Sequence, residues 1–292
     1  KPGDKSYSDY WGNFLSDFSR HLRKKGWFEK TTIAMDEREL NAMQEALKII
    51  KKEHGYLVDT TRGKYECDNV VIATGSPASL LSGENSYDLV KMLDLTVTKL
   101  YPSLVQLKTK PSYAKLKGVR VKCKASLLVD DCLIESQDGE VLFSDQGLSG
   151  ICIMQLSRLL SRYDGKKEIS LDLLPEYDYK QAEFLLNERK GKFGNYYLEG
   201  MFNDKLAKVL ETVTDLKDIR FKITGTFDYR KAQVISGGVS LDEVNENLEC
   251  VKYPGVYIAG EVLDVDGDCG GYNLHFAFAS GYHIAKTISK GR

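Results

Sequence analysis

The stretch from Val256 to Ile288 constrains this chain more than any other. An unbroken apolar run, Val256-Tyr257-Ile258-Ala259, ends in Gly260-Glu261. A turn follows that contains Gly267, Gly270 and Gly271, and then a helix of small and aromatic residues from Tyr272, including Ala277, Ala279 and Gly281. Physically this is a buried strand that delivers an acid just past its carboxyl end and then opens a helix through a glycine pair. A ligand at that end of the strand would meet a carboxylate, here Glu261 or Asp264, and the bare N-terminus of a helix. The carboxylate can accept from sugar or ribityl hydroxyls. The helix end offers free N–H groups and a positive dipole to a phosphate or an anionic ring. The same residues also read as a glycine-rich turn whose acids are merely solvated. A second strand tips the balance toward a ligand site: Asn69-Val70-Val71-Ile72-Ala73 is continuously apolar and ends in Thr74-Gly75, where the chain can pass tightly over a nucleotide.

Composition narrows the remaining possibilities. Of 292 residues, 42% are apolar and 28% charged, so a real core can form. Lys plus Arg number 41 against 42 for Asp plus Glu, a net charge of -1 that leaves no electrostatic footprint for nucleic acid or an anionic membrane. No apolar run approaches the roughly 20 residues of a membrane helix. The six cysteines stand singly, with no C-x-x-C pair, and the four histidines form no H-E-x-x-H pattern. They read as reduced thiols in a cytoplasmic protein with no metal centre.

Along the chain, Tyr10, Trp11, Phe14, Leu15, Phe18 and Leu22 predict a helix, Thr31–Met35 a short strand, and Glu39–Lys52 a second helix broken at His54-Gly55. Tyr56–Val58 and Tyr65–Cys67 flank Thr61-Arg62-Gly63 as a hairpin. Residues 85–94 form a modest helix. Residues 100–145 alternate like strands, with turns expected at Lys117-Gly118 and Asp138-Gly139. Helical spacing returns from Gly150 to Arg162, a strand at Ile169–Leu174, and charged helix formers over 178–213. Arg158 and Arg162 read as a solvated face. His275 and His283 read as core or surface histidines, and the lysines between Lys108 and Lys117 have no aromatic platform that would suit a nucleic acid.

Five segments occur in order: Ala73-Thr74-Gly75, Tyr101-Pro102-Ser103-Leu104-Val105, Leu142 through Gly150, Ser236-Gly237-Gly238-Val239, and Gly260-Glu261-Val262-Leu263-Asp264 through Asn273-Leu274. From Gly55 onward the chain thereby resembles the HI0933-like flavoproteins, also described as aminoacetone oxidases or NAD(FAD)-utilising dehydrogenases. The resemblance implies an α/β chain: an incomplete Rossmann-type FAD-binding domain with a β-barrel-like and a small helical insert. The FAD-binding part would be 53–99 with 234–292, the barrel 100–174 with 218–233, and the helical insert 175–217. It implies hydride transfer through FAD, with NAD(P)H as a plausible donor and a small molecule as substrate. Thr74 and Gly75 would lie near the adenine half. Gly260, Glu261 and Asp264 would serve the ribityl and pyrophosphate portion, and Gly270, Gly271, Tyr272, Asn273 and Leu274 the isoalloxazine. It assigns no catalytic residue, and the sequence is silent on oligomeric state.

Two departures accompany this. No two glycines stand two residues apart, so the G-x-G-x-x-G fingerprint is absent, and Ser76 replaces the glycine expected after Gly75. The first 52 residues instead resemble part of a glycoside hydrolase 123-like catalytic barrel, through Tyr10-Trp11, Lys25-Gly26-Trp27-Phe28 and Ile33 to Arg38. That resemblance would make Asp36 and Glu37 an acid pair for substrate-assisted hydrolysis, although a (β/α)₈ barrel needs at least about 200 residues. An acidic helix N-terminus is the simpler reading. A seam between unrelated proteins is then expected near Lys52–Gly55. The alternatives to a flavoenzyme are a non-catalytic chimeric fusion and a glycoside hydrolase using Asp36-Glu37.

Overall fold

A computed structural model describes residues 46–60, 63–78 and 86–290. The N-terminal helix, the Thr31–Met35 strand and Asp36-Glu37 lie outside the described residues. Strand β1 (Ala46–Lys51) pairs antiparallel with β2 (Tyr56–Thr60), and β2 with β3 (Gly63–Cys67). This corrects the helix expected over 39–52, of which Ala46–Lys51 is strand. The local pattern was short, and Ile49 gains more by packing beside Tyr56 and Val90 in a shared core than one helical turn could offer. The expected seam at Lys52–Gly55 is the turn of this hairpin, closed by Lys52 N–H on the Gly55 carbonyl at 3.1 Å.

Strand β4 (Val70–Ile72) pairs in parallel with β13 (Val256–Ile258), Val70 opposite Val256 and Ile72 opposite Ile258. The other edge of β13 is bonded to residues 248–250: Cys250 N–H donates to the Val256 carbonyl and Ile258 N–H to that of Leu248. Around this pair Ile72, Val90, Val239, Ile258 and Leu263 form one core, with helix α1 (Asp88–Met92) against it. The long C-terminal helix α5 (Tyr272–Lys290) packs Ile284 on Tyr257 and Ala259.

The second core fills a closed six-stranded barrel of order β10-β11-β6-β9-β8-β7. Its strands are β6 (Leu107–Lys110), β7 (Arg120–Val129), β8 (Cys132–Phe143), β9 (Gly147–Ser149), β10 (Lys167–Asp172) and β11 (Ile219–Thr226). Alternation along β7 sends Val121, Cys123, Ala125 and Leu127 inward. Helix α2 (Ile151–Ser157) plugs the barrel with Ile153 and Leu156. The turn expected at Asp138-Gly139 is not there: Cys123 faces Gly139 and Lys124 faces Asp138 within the ladder of β7 and β8. The hairpin turns instead at Asp130-Asp131, both at positive φ (48° and 64°), a conformation aspartate tolerates better than most residues.

Between β10 and β11 come α3 (Tyr179–Phe193) and α4 (Asp204–Leu210). A capping box between Asp178 and Gln181 starts α3, which buries Ala182, while α4 buries Leu206, Ala207 and Leu210 against the barrel. Strands β5 (Tyr101–Ser103) and β12 (Val234–Ser236) pair antiparallel outside the barrel and join it to the parallel strands.

Two stability predictions follow from contacts between elements. Gly150 precedes α2 at φ 106°, and a Cβ built there would stand 2.2 Å from the Glu140 carbonyl oxygen. Gly150→Ala should cost about 2–4 kcal/mol, and an unchanged denaturation midpoint would refute the close approach. Glu243 accepts the Thr96 N–H at 3.0 Å and pairs with Lys252 at 3.3 Å. The Thr96 bonds, followed by Lys252, hold its carboxyl below the ordinary range. Its contribution is therefore full above the unfolded value and is lost as pH falls toward the folded one. Glu243→Gln should lower the melting temperature at pH 7 and converge with the parent in acid.

Candidate functional site

Because β4 and β13 run in parallel side by side, Thr74-Gly75-Ser76 and Gly260-Glu261 leave the sheet at the same edge. Thr74 donates its hydroxyl to the Ser86 carbonyl, and the amide of Ala78 donates to the Ser76 hydroxyl at 3.2 Å. Glu261 turns inward: its Oε1 accepts the Ile235 N–H at 3.1 Å, and the Ser76 hydroxyl bonds the carboxylate. Burial pushes the Glu261 carboxyl up, against the pull of those two bonds. Tyr87, wholly buried, reaches the Glu261 carbonyl at 3.4 Å, and burial raises its phenol, with Glu261 and Asp264 adding to the effect.

Asp264 accepts from the Thr98 hydroxyl at 2.8 Å and from Gly237 N–H at 3.1 Å. Gly238 is pressed so closely on the Leu263–Asp264 backbone that a Cβ would fall 2.6 Å from the Leu263 carbonyl carbon. The Ser236-Gly237-Gly238 segment is thus a strut under the loop that carries Asp264. Gly260 N–H goes to the Ser280 hydroxyl at 2.9 Å, which ties the end of β13 to α5.

The turn into α5 is closed by Asn273, whose Oδ1 accepts Gly267 N–H at 2.7 Å while Nδ2 donates to the Gly267 carbonyl at 3.0 Å. Gly270 and Gly271 adopt φ of 115° and 95°, and a Cβ on Gly271 would meet nothing within 4 Å. That side is open. Tyr272 and Leu274 are exposed, and the first-turn amides of a helix have no intrahelical acceptor.

The structure adds residues that the sequence had left as a solvated face. Arg158 pairs with Asp268 at 2.6 Å and donates to the Asp266 carbonyl at 3.3 Å, while Arg162 reaches the Asp266 carboxylate at 3.5 Å. Ser103 donates to the other Asp266 oxygen at 3.1 Å, and Gln155 accepts Cys269 N–H at 2.9 Å. Burial raises the Asp266 carboxyl, while Ser103, Arg162 and Arg158 draw it back. The spacing of Gln155, Arg158 and Arg162, three and four residues apart, was the available signal; what it faces lies more than 100 residues away. His283, by contrast, is exposed with its ring on the Glu246 carbonyl, and His275 is exposed.

Taken as a donor set, these residues suit the ring and hydroxyl chain of a flavin. The glycine pair at the start of α5 leaves open space beside the helix end, and among the described residues the buried Ser86 hydroxyl, beside Thr74, finds no hydrogen-bond partner. Among the described residues no group of three or more His, Cys, Asp or Glu could hold a metal ion, and no helix is long and apolar enough to cross a membrane.

Known proteins are similar to this chain over most of its length. The family model described as HI0933-like protein Rossmann domain matches residues 28–287. The 3-dehydro-bile acid delta(4,6)-reductase of Clostridium scindens is 33% identical over 278 residues, covering 84% of this chain and 68% of that protein. The ribosomal RNA dihydrouridine synthase of Escherichia coli is 30% identical over 277 residues, covering 84% and 66%. Its namesake in Haemophilus influenzae is 25% identical over 265 residues, covering 80% and 64%. The chain thus spans about two thirds of the length of these curated relatives. The family match starts upstream of Lys52–Gly55 and takes in Asp36-Glu37, so the glycosidase-like fragment expected over 1–52 finds no support.

Glu261 offers a test of the inward geometry. A carboxyl raised by burial binds its proton more tightly in the folded state. Folding stability is then full below the ordinary value of 4.5 and falls as pH rises toward the folded value. Glu261→Gln should therefore gain on the parent in melting temperature as pH rises from about 4 to 8. A difference running the other way would mean that Glu261 is ionised and held by its neighbours.

Proposed function

This chain belongs to the HI0933-like protein Rossmann domain family, and from that membership we propose a flavin-dependent oxidoreductase that reduces a carbon–carbon double bond in a small molecule. The observation that carries the reading is the chemistry two relatives' names share. Read as chemistry, the names delta(4,6)-reductase and dihydrouridine synthase both point to hydrogen added across a ring double bond. Bound FAD would supply the hydride, with NAD(P)H as the proposed electron source.

The chain's own residues would bind and orient. Gly270 and Gly271 let the ligand approach the start of α5, whose first-turn N–H groups and dipole favour negative charge on a reduced ring. Gly260, Thr74 and Gly75 lie at the shared edge of β4 and β13, where hydroxyls of the cofactor chain would find backbone groups, and Glu261, turned inward on the Ile235 N–H, would hold that edge in shape. Asp264, tied to Thr98 and Gly237, would hold the loop between them in shape. Asn273 and Leu274 would sit at the ring end.

A net charge of -1 favours a small substrate over ribosomal RNA, since RNA affinity rests on phosphate neutralisation. All six cysteines are unpaired, which supports a reducing compartment such as the cytoplasm.

The test is spectroscopic. The purified chain, incubated with FAD and passed through gel filtration, should retain a flavin spectrum. Anaerobic NADH or NADPH should bleach it, and a steroid enone should restore it with formation of the saturated ketone. A colourless chain, or a reduced flavin that the enone leaves bleached while oxygen restores it, would overturn the reading.

A further inference from the structure

The loop between β13 and α5 is held from outside its own half of the molecule. Asp264 is tied to Thr98 and Gly237, but the residues after it turn to the barrel. Arg158, just past the end of α2, grips the Asp268 carboxylate at 2.6 Å and the Asp266 carbonyl at 3.3 Å. One turn earlier, Gln155 accepts the Cys269 N–H at 2.9 Å. The chain is therefore fixed at 266, 268 and 269, and the next two residues are Gly270 and Gly271, at φ 115° and 95°. Glycines impose little conformational preference of their own, so the shape of that turn comes from what holds its flank.

The Arg158 side chain is only 20% exposed, and its Nε is buried without a partner. A guanidinium kept in such a place with one donor unsatisfied is poor value for stability alone. Its planar fork holds a carboxylate on one nitrogen and a carbonyl on the other in a fixed relative geometry, which the flexible ammonium of a lysine reproduces less well.

We propose that Arg158 is a positioning residue: from the barrel side it holds Asp268 and the Asp266 carbonyl, and thereby fixes the Gly270–Gly271 turn that presents the start of α5 to its ligand. This rests on reading that turn as the flavin end of the site. It makes the barrel insert part of the cofactor site without contacting the cofactor, and it couples whatever loads α2 to the geometry of the turn.

The experiment uses the full chain with Arg158→Gln, Arg158→Lys, Asp268→Asn and the Gln/Asn double variant. FAD affinity, the bound-flavin spectrum, melting temperature and hydrogen exchange across 265–275 are measured together. Arg158→Gln and Asp268→Asn should each weaken FAD roughly tenfold and alter its spectrum. They should speed exchange in that segment alone and leave the melt nearly unchanged. The double variant should be no weaker than either single one, because both break the same contact. Arg158→Lys should recover part of the affinity, and it carries the test if the Gln variant does not fold. Unchanged affinity and spectrum in Arg158→Gln, or additive losses in the double variant, would overturn the proposal. If the parent binds no FAD, the functional reading fails separately. Exchange then decides the clamp: faster exchange confined to 265–275 upholds it, and unchanged exchange overturns it.

Discussion

Two hydrophobic cores that share no strand have to be held in one geometry, and the acids between β13 and α5 supply the hold. Asp264, Asp266 and Asp268 alternate along an extended stretch, and each finds a different partner: Thr98 with Gly237, then Ser103 with Arg162, then Arg158. The first binds the loop to its own half and the other two bind it to the barrel side. The small β5–β12 pairing lies between the halves as a two-stranded sheet of its own. Packing of apolar faces is not directional, so it cannot by itself set the angle between two cores. Hydrogen bonds and ion pairs with defined geometry can.

That arrangement determines what kind of chemistry the site supports. The carboxylates most suggestive of ligand binding, those of Glu261 and Asp264, are directed at Ile235 and Gly237, and so shape the backbone around the site. What faces outward is the glycine turn and the first turn of α5. Such a surface recognises by shape and dipole, which suits a planar redox ring whose charge changes during turnover. The chemistry that the relatives' names point to, hydrogen added across a ring double bond, asks little more of the protein than orientation and a dry edge.

Legibility varied with how local the deciding interaction was. The parallel pair could be read from Val70–Ile72 and Val256–Ile258, because a strand covered on both faces must be continuously apolar. The alternation of β7 marked it as a strand with one buried face, and the barrel itself was an expectation from the family resemblance. Strand β1 could not be read. Its residues suit a helix turn by turn, and only the partner strand after Gly55 and the core position of Ile49 make it extended. Asp138-Gly139 carries turn chemistry but lies deep in β8, because the ladder with β7 outweighs one dipeptide and the strand reverses at Asp130-Asp131. Arg158 and Arg162 looked like solvated charges because their partners are more than 100 residues distant.

The sequence by itself determined the strand–glycine–helix segment, the alternation of the barrel strands and the family to which these belong, since each depends on spacing within a few residues. Tertiary structure alone decided the direction of Glu261 and Asp264 and the hold of Arg158 on Asp268. Those depend on which distant backbone arrives beside a given side chain. Local spacing encodes a residue's face, but only the packed chain supplies what that face meets.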